Sequence, residues 1–139
     1  MEFEIAKEKA VKYIVMAKKT KHEVYQKLKK SGFDDNIINQ VIDYLSDLNY
    51  LNDEEYIDAY LKQSMRLLKY SIFEIKQKLL QKGLDKCIIE NKLEYLKDNN
   101  YEQKIIEKLL NSKLKNLDDL KKKQYLYRRG FKTNIDTYM

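Results

Sequence analysis

The sequence predicts an all-α protein made of three tandem three-helix repeats, and three observations lead to this fold class. The 139 residues include no proline and only three glycines, which disfavours architectures that depend on β-turns. Hydrophobic residues make up 43% of the chain and charged residues 36%, a balance that suits ordered helices. One helical segment, residues 71–84, recurs in modified form both upstream and downstream.

The central copy of this segment has a helix signal at each end. Ser71 can cap the helix, and the Glu74 carboxylate, three residues on, can reach back to the N–H of the cap. Gly83 tolerates the positive φ at which helices commonly end, and the apolar Leu84 follows it. The apolar stripe between these signals consists of Ile75, Leu79 and Leu80.

The same signals recur at two other places in the chain. Moving back 51 positions, they are Thr20, Glu23, Leu28, Gly32 and Phe33. Moving forward 47 positions, the leucine, the glycine and the apolar residue return as Leu126, Gly130 and Phe131. All three glycines therefore take the same role, and helical units of this period bury their apolar faces by stacking. The predicted units are residues 1–50, 51–100 and 101–139.

In the first unit we expect helices over about residues 4–18, 21–31 and 35–48. The first helix has a helix-spaced apolar face formed by Ala6, Ala10, Tyr13, Ile14 and Ala17. Thr20 caps the second helix. Asp34 or Asp35 opens the third, where the helix dipole favours negative charge.

In the second unit, Asn52 and Glu55 form a candidate capping box for a helix that runs to about Lys69. The central helix follows over residues 71–82, and a third helix extends over about residues 86–98. The order of helices in the first unit is thereby repeated.

The third unit is less regular. Its first helix is patterned by Ile105, Ile106, Leu109 and Leu110, and residues 111–116 form a loop. Asp118 caps its second helix, but Lys121 stands where the first two copies have an acid. A last helix from about Thr133 is cut short at Met139.

Positive charge is concentrated in the third unit. The net charge is +6, and residues 101–139 contain ten basic and five acidic side chains, which leaves +5 there. Such a concentration indicates an anionic partner, either nucleic acid or an acidic protein surface. The alternative is that abundant Lys, Ile, Asn and Tyr reflect a biased nucleotide composition.

The candidate partner-binding residues form two basic groups. The main group consists of Lys121, Lys122, Lys123, Arg128, Arg129 and Lys132. A second group, in the middle unit, consists of Arg66, Lys69 and Lys76. Two of the three arginines are adjacent in the main group, and guanidinium groups hold carboxylate or phosphate through two parallel hydrogen bonds. The alternative is a solvated helix end whose cations lie beside the last carbonyl groups.

The sequence gives little support to an enzyme, and we expect no catalytic residue, metal site or cofactor. His22 is the only histidine and lies in a helix turn without a recognisable partner. The acids beginning at Asp53 are explained by a helix N-terminus. Most of the 12 tyrosines, including Tyr44 and Tyr95, fall at core-spaced positions, which favours packing over base stacking. With one cysteine and no apolar run of about 20 residues, a cytoplasmic location away from membranes is expected.

Three segments resemble the RecX family of regulatory proteins. Residues 50–59, with Asn52 in place of the family's first aspartate, resemble its acidic opening signature for the second repeat. Residues 74–84 and residues 126–131, the latter reading Leu-Tyr-Arg-Arg-Gly-Phe, are similar to two further motifs of the family. The chain departs from the family in its many lysines where arginines are usual and in its very short last helix.

The resemblance implies an elongated, curved array of three-helix repeats that lies in the helical groove of the RecA filament. It implies binding to the RecA recombinase filament and suppression of strand exchange, ATP hydrolysis and co-protease activity, in DNA repair, recombination and the SOS response. It implies no catalysis by the protein itself. A stand-alone protein that binds single- or double-stranded DNA through helix-turn-helix-like repeats is the alternative hypothesis. A monomer is expected in either case.

Overall fold

The structure, a computed structural model, describes residues 1–132 and confirms the all-α repeat fold. These residues form eight helices and no strand. The helices are α1 Glu2–Met16, α2 Lys21–Lys30, α3 Asp35–Asp47, α4 Asp53–Leu67, α5 Ile72–Gln81, α6 Lys86–Asp98, α7 Tyr101–Leu110 and α8 Asp119–Arg128. The helix predicted from Thr133 lies outside the described residues.

Side-chain caps explain where most of these helices begin. Complete capping boxes start α2 at Thr20 and α5 at Ser71, as predicted. Single aspartate caps start α3, α6 and α8. At α4, the Asn52 side chain accepts from the Glu55 N–H, while the Glu55 carboxylate lies 3.5 Å from the Asn49 amide nitrogen. Of the candidate capping box at α4, the bond from the Glu55 N–H to the Asn52 side chain is present, and the Glu55 carboxylate lies near Asn49 instead.

Each second helix of a unit ends in the same left-handed turn. Gly32, Gly83 and Gly130 have φ of 94°, 78° and 86°. In the first unit, the Phe33 N–H donates to the Leu28 carbonyl and the Gly32 N–H to that of Lys29. Equivalent pairs of bonds follow α5 and α8. This pairing is the Schellman motif, which satisfies helix-end carbonyl groups.

The buried side chains form two clusters rather than three. One cluster belongs to the first unit, extends from Ala6 to Leu45, and includes Leu51 from the link to α4. The other spans the second and third units, from Ile57 to Phe131, which is fully buried. The second and third units therefore share one core, while the first unit has its own.

A polar junction joins the first unit to the second. The Thr20 hydroxyl donates to the Lys82 carbonyl at 2.8 Å, and the Glu23 carboxylate lies 3.2 Å from the Lys82 Nζ. The His22 side chain lies over Gly83, where an added Cβ would be 2.2 Å from the His22 Cγ. The N-terminus of α2 thus sits on the C-terminal turn of α5.

The junction between the second and third units has the same construction. The Ser71 hydroxyl donates to the Arg129 carbonyl at 2.6 Å, and the Glu74 carboxylate lies 2.8 Å from the Arg129 Nη2. Phe73 covers Gly130, where an added Cβ would be 2.7 Å from the Phe73 Cβ. Each cap residue therefore closes its own helix and also holds the next unit.

Candidate partner-binding surface

Helix α8 presents a continuous exposed face on the third unit. Leu126 is the one side chain that α8 buries. Positions three and four residues apart lie on one side of a helix. The face opposite Leu126, named here the α8 outer face, consists of Leu120, Lys121, Gln124, Tyr127 and Arg128. Leu120 is 66% exposed and Tyr127 69%, so two large apolar groups lie in solvent beside two cations.

Tyr125 fixes α8 against the loop that precedes it. Its hydroxyl oxygen accepts from the Lys113 Nζ at 3.1 Å and from the Arg129 Nη1 at 3.4 Å. Burial raises the pKa of Tyr125, but the hydrogen bonds and charges of these two cations outweigh it, and the net shift is downward. The ring of Tyr125 therefore braces two basic residues next to the outer face.

Arg129 belongs to the junction between units. Its guanidinium pairs with Glu74 and also donates to the Lys69 carbonyl, and its side chain is 21% exposed. Burial lowers the pKa of Arg129, but the hydrogen bonds and charges of Glu74 and Tyr125 raise it by more. The net shift of the pKa is therefore upward. The structure gives Arg129 a role within the chain, which the sequence did not predict.

The other candidate cations lie in different surroundings. Arg66 and Lys69 are exposed at the end of α4. The Lys76 Nζ pairs with Glu90 at 2.9 Å, and Lys76 shares a groove of about 560 Å³ with the exposed Lys132. Half-buried positions on α8 are occupied by Lys122 and Lys123. Of the nine predicted residues, only Lys121 and Arg128 stand on the α8 outer face.

Two large residues of the outer face, Leu120 and Tyr127, were missed by sequence reasoning. The repeat alignment contained a usable signal, because Leu120 occupies the position in α8 that Phe73 occupies in α5. Phe73 covers the glycine of the next unit, whereas Leu120 stays exposed. Tyr44 and Tyr95 are 41% and 57% exposed, so neither is a core residue, although the Tyr44 ring packs edge-on against Phe3 with the ring centroids 5.9 Å apart.

Residues 1–132 provide neither a metal site nor a membrane-spanning helix. No group of three or more His, Cys, Asp or Glu residues there could hold a metal ion. Within the same residues, no helix has the length and apolar character needed to cross a membrane.

An acid titration is expected to weaken the second junction. Burial raises the pKa of Glu74, but the hydrogen bonds from Arg129 and Ser71 and the charge of Arg129 outweigh this effect. The pKa of Glu74 therefore lies below its ordinary value of 4.5. Ionised Glu74 therefore stabilises the fold above pH 4.5, and this contribution is lost as the pH falls through the lowered pKa. We expect Glu74→Gln to remove part of the acid dependence of the urea midpoint. The control is Glu107→Gln, at an exposed position of α7; identical acid dependence in wild type and Glu74→Gln would contradict the prediction.

The chain is similar to proteins named RecX. Residues 6–45 match the model of the first three-helix domain of RecX. "Regulatory protein RecX" of Streptococcus agalactiae serotype III (strain NEM316) is 36% identical over 97 residues, which cover 70% of this chain and 38% of the relative. The protein of that name from Caldanaerobacter subterraneus subsp. tengcongensis is 31% identical over 127 residues, which cover 91% and 64%. The chain thus spans between 38% and 64% of these curated relatives.

Solved structures show the same fold. The crystal structure of RecX from Lactobacillus salivarius superimposes with a TM-score of 0.83 at 28% identity, covering 97% of this chain and 92% of that one. A second crystal structure, of regulatory protein RecX, has a TM-score of 0.83 at 19% identity and covers 98% of this chain and 71% of that one. The repeat array and its order of helices therefore agree with experimentally determined structures.

Proposed function

This chain belongs to the RecX family of regulatory proteins, and on that basis we propose that it regulates the RecA recombinase. In this proposal the chain binds the RecA filament on DNA and restrains strand exchange, ATP hydrolysis and co-protease activity. It acts by binding rather than by catalysis, in the cytoplasm, during DNA repair, recombination and the SOS response.

The α8 outer face is the observation that best supports a protein-binding role. Tyrosine and arginine are enriched among the residues that dominate binding energy at protein interfaces, and charged residues other than arginine are depleted. Here Tyr127 and Arg128 are adjacent and exposed, with Leu120 about two turns away. A surface of this composition suits an acidic protein surface that also has an apolar patch.

The test is a titration of the full chain against RecA on single-stranded DNA, with ATP hydrolysis as readout. We expect wild type to slow hydrolysis, and Tyr127→Ala and Arg128→Ala each to raise the half-inhibitory concentration about tenfold, which corresponds to about 1.4 kcal/mol. The matched controls are Tyr95→Ala, at an exposed tyrosine, and Lys18→Ala, at an exposed cation. If folded wild type has no effect over a wide titration, the proposal fails.

Direct DNA binding is the second candidate, favoured by the charge of +5 over residues 101–139. Each phosphate that a protein neutralises releases counterions, so affinity should fall steeply with salt, and removing one phosphate contact should reduce the slope by about 1. Arg128→Ala separates the two candidates when measured on bare DNA and on the filament. Loss on both supports phosphate contact, whereas loss on the filament alone supports a protein contact.

A further inference from the structure

Each of the two junctions consists of two helix ends, which we name the donor half and the acceptor half after the hydrogen bond from the cap hydroxyl to the carbonyl. The donor half is a helix N-terminus with a hydroxyl cap, a bulky residue two positions later and an acid three positions later, as in Ser71, Phe73 and Glu74. The acceptor half is a helix C-terminus whose C-cap residue, directly before the glycine, supplies a carbonyl and a cationic side chain, as Arg129 does before Gly130. The first junction has the same two halves, with Thr20, His22 and Glu23 as donor and Lys82 and Gly83 as acceptor.

The first unit has an acceptor half whose glycine no described residue covers, while Lys9 of α1 donates to the Ser31 hydroxyl beside it at 3.4 Å. Gly32 makes the same left-handed turn as the other two glycines, and nothing lies within 4 Å of a Cβ added there. The position before it holds Ser31, whereas Lys82 and Arg129 supply cations there in the two closed junctions. The Ser31 hydroxyl donates to the Lys27 carbonyl of its own helix. The backbone shape of the acceptor is thus retained, but its C-cap residue has no cationic side chain, and the nearby cation, Lys9, belongs to α1.

The third unit has a donor position with altered chemistry. Its cap is Asp118, whose carboxylate accepts from the Lys121 N–H at 2.8 Å and, when ionised, has no proton to donate to a carbonyl. A cation, Lys121, replaces the acid. The bulky position keeps Leu120, exposed at 66%. Both polar groups that close a junction are therefore absent from α8, and the apolar group is present.

We propose that these changes at α8 and Ser31 keep copies of this chain from joining head to tail. If α8 of one copy met the Gly32 turn of a second copy in junction geometry, the Asp118 carboxylate would face a carbonyl oxygen. Two acceptors would then meet without a proton, and desolvating unpaired polar groups is unfavourable. Lys121 would also find no acid, because the acceptor position holds Ser31. The N-terminus of α8 is therefore half of a junction that its own side chains keep from forming. Once the donor half is restored, the occupant of this junction is a second copy of the chain.

Restoring the donor half should make the chain associate. The double variant Asp118→Ser/Lys121→Glu also completes a capping box for α8, so it is expected to fold. Sedimentation equilibrium of the full chain should show a monomer for wild type and, for the double variant, an average mass that rises with concentration. Adding Ser31→Arg places a cation on the C-cap residue itself and should tighten association about two- to fivefold, the usual range for a surface ion pair. Adding Ser31→Asp instead should abolish it by like-charge repulsion.

A mixing experiment fixes the orientation. The single variant Ser31→Arg has an improved acceptor and the original α8, and the triple variant Asp118→Ser/Lys121→Glu/Ser31→Asp has a restored donor and a blocked acceptor. Each should remain monomeric alone, and the two together should form a one-to-one complex. The proposal is overturned if wild type joins end to end, if association survives Ser31→Asp, or if the variant restored at both halves stays monomeric while its circular dichroism is native.

Discussion

Replacing Phe131 with alanine is expected to lower the free energy of unfolding by about 3 to 5 kcal/mol, the usual cost of truncating a buried phenylalanine. Phe131 is fully buried in the core that the second and third units share. Its ring also lies 5.4 Å from the Arg129 guanidinium, which pairs with Glu74. The substitution therefore removes core volume and loosens the second junction together.

The pattern of damage should follow the two cores. Amide hydrogen exchange is expected to accelerate in the Phe131→Ala variant from α4 to α8, because these helices line one cluster. Exchange in α2 and α3 should change little, since their buried side chains belong to the separate first cluster. The matched control is Phe33→Ala, the equivalent position in the first unit, which is half-buried and should cost less. Uniform acceleration along the whole chain would contradict a divided core.

Local signals made the helix order predictable from the sequence. Thr20 and Ser71 cap their helices through residues three positions away, and Gly83 ends one through its own φ. Such signals act within one turn, so they can be recognised without knowledge of the tertiary structure. The three-unit pattern was visible because these signals repeat with similar spacing.

Contacts between units could not be predicted in the same way. Ser71 is 58 positions from Arg129, and the sequence gives no indication that a cap hydroxyl also bonds a distant carbonyl. The sequence predicts Arg129 as a binding residue but does not indicate its bond to Glu74, because adjacent cations in a basic segment have the same local pattern whether they face a partner or an acid of another unit. Exposure of Tyr44 and Tyr95 was missed for a related reason, since helical spacing indicates a face but not whether a neighbour covers it.

The glycines offer the sharpest test of the junctions, since one of the three is uncovered. Gly32→Ala should cost about 1 to 2 kcal/mol, because alanine is strained at a φ of 94° and the site is otherwise open. Gly83→Ala should carry the same strain and in addition a clash, with its new Cβ 2.2 Å from the His22 Cγ. We expect a total cost of about 3 kcal/mol or more for Gly83→Ala, beyond the usual range for a point substitution. Urea unfolding of the two variants measures the difference.

Rotation of the His22 side chain cannot relieve this clash. The His22 Cβ would lie 2.3 Å from the added Cβ, and a Cβ is fixed by the backbone, so the start of α2 must move and release the Thr20 hydroxyl from the Lys82 carbonyl. His22→Gly removes all the clashing atoms of that side chain, at a cost of less than about 1 kcal/mol in helix propensity. In a double-mutant cycle, Gly83→Ala made in the His22→Gly background should therefore cost no more than Gly32→Ala does in wild type. If Gly83→Ala and Gly32→Ala cost the same in wild type, the packing of α2 onto the turn after α5 does not stabilise the chain.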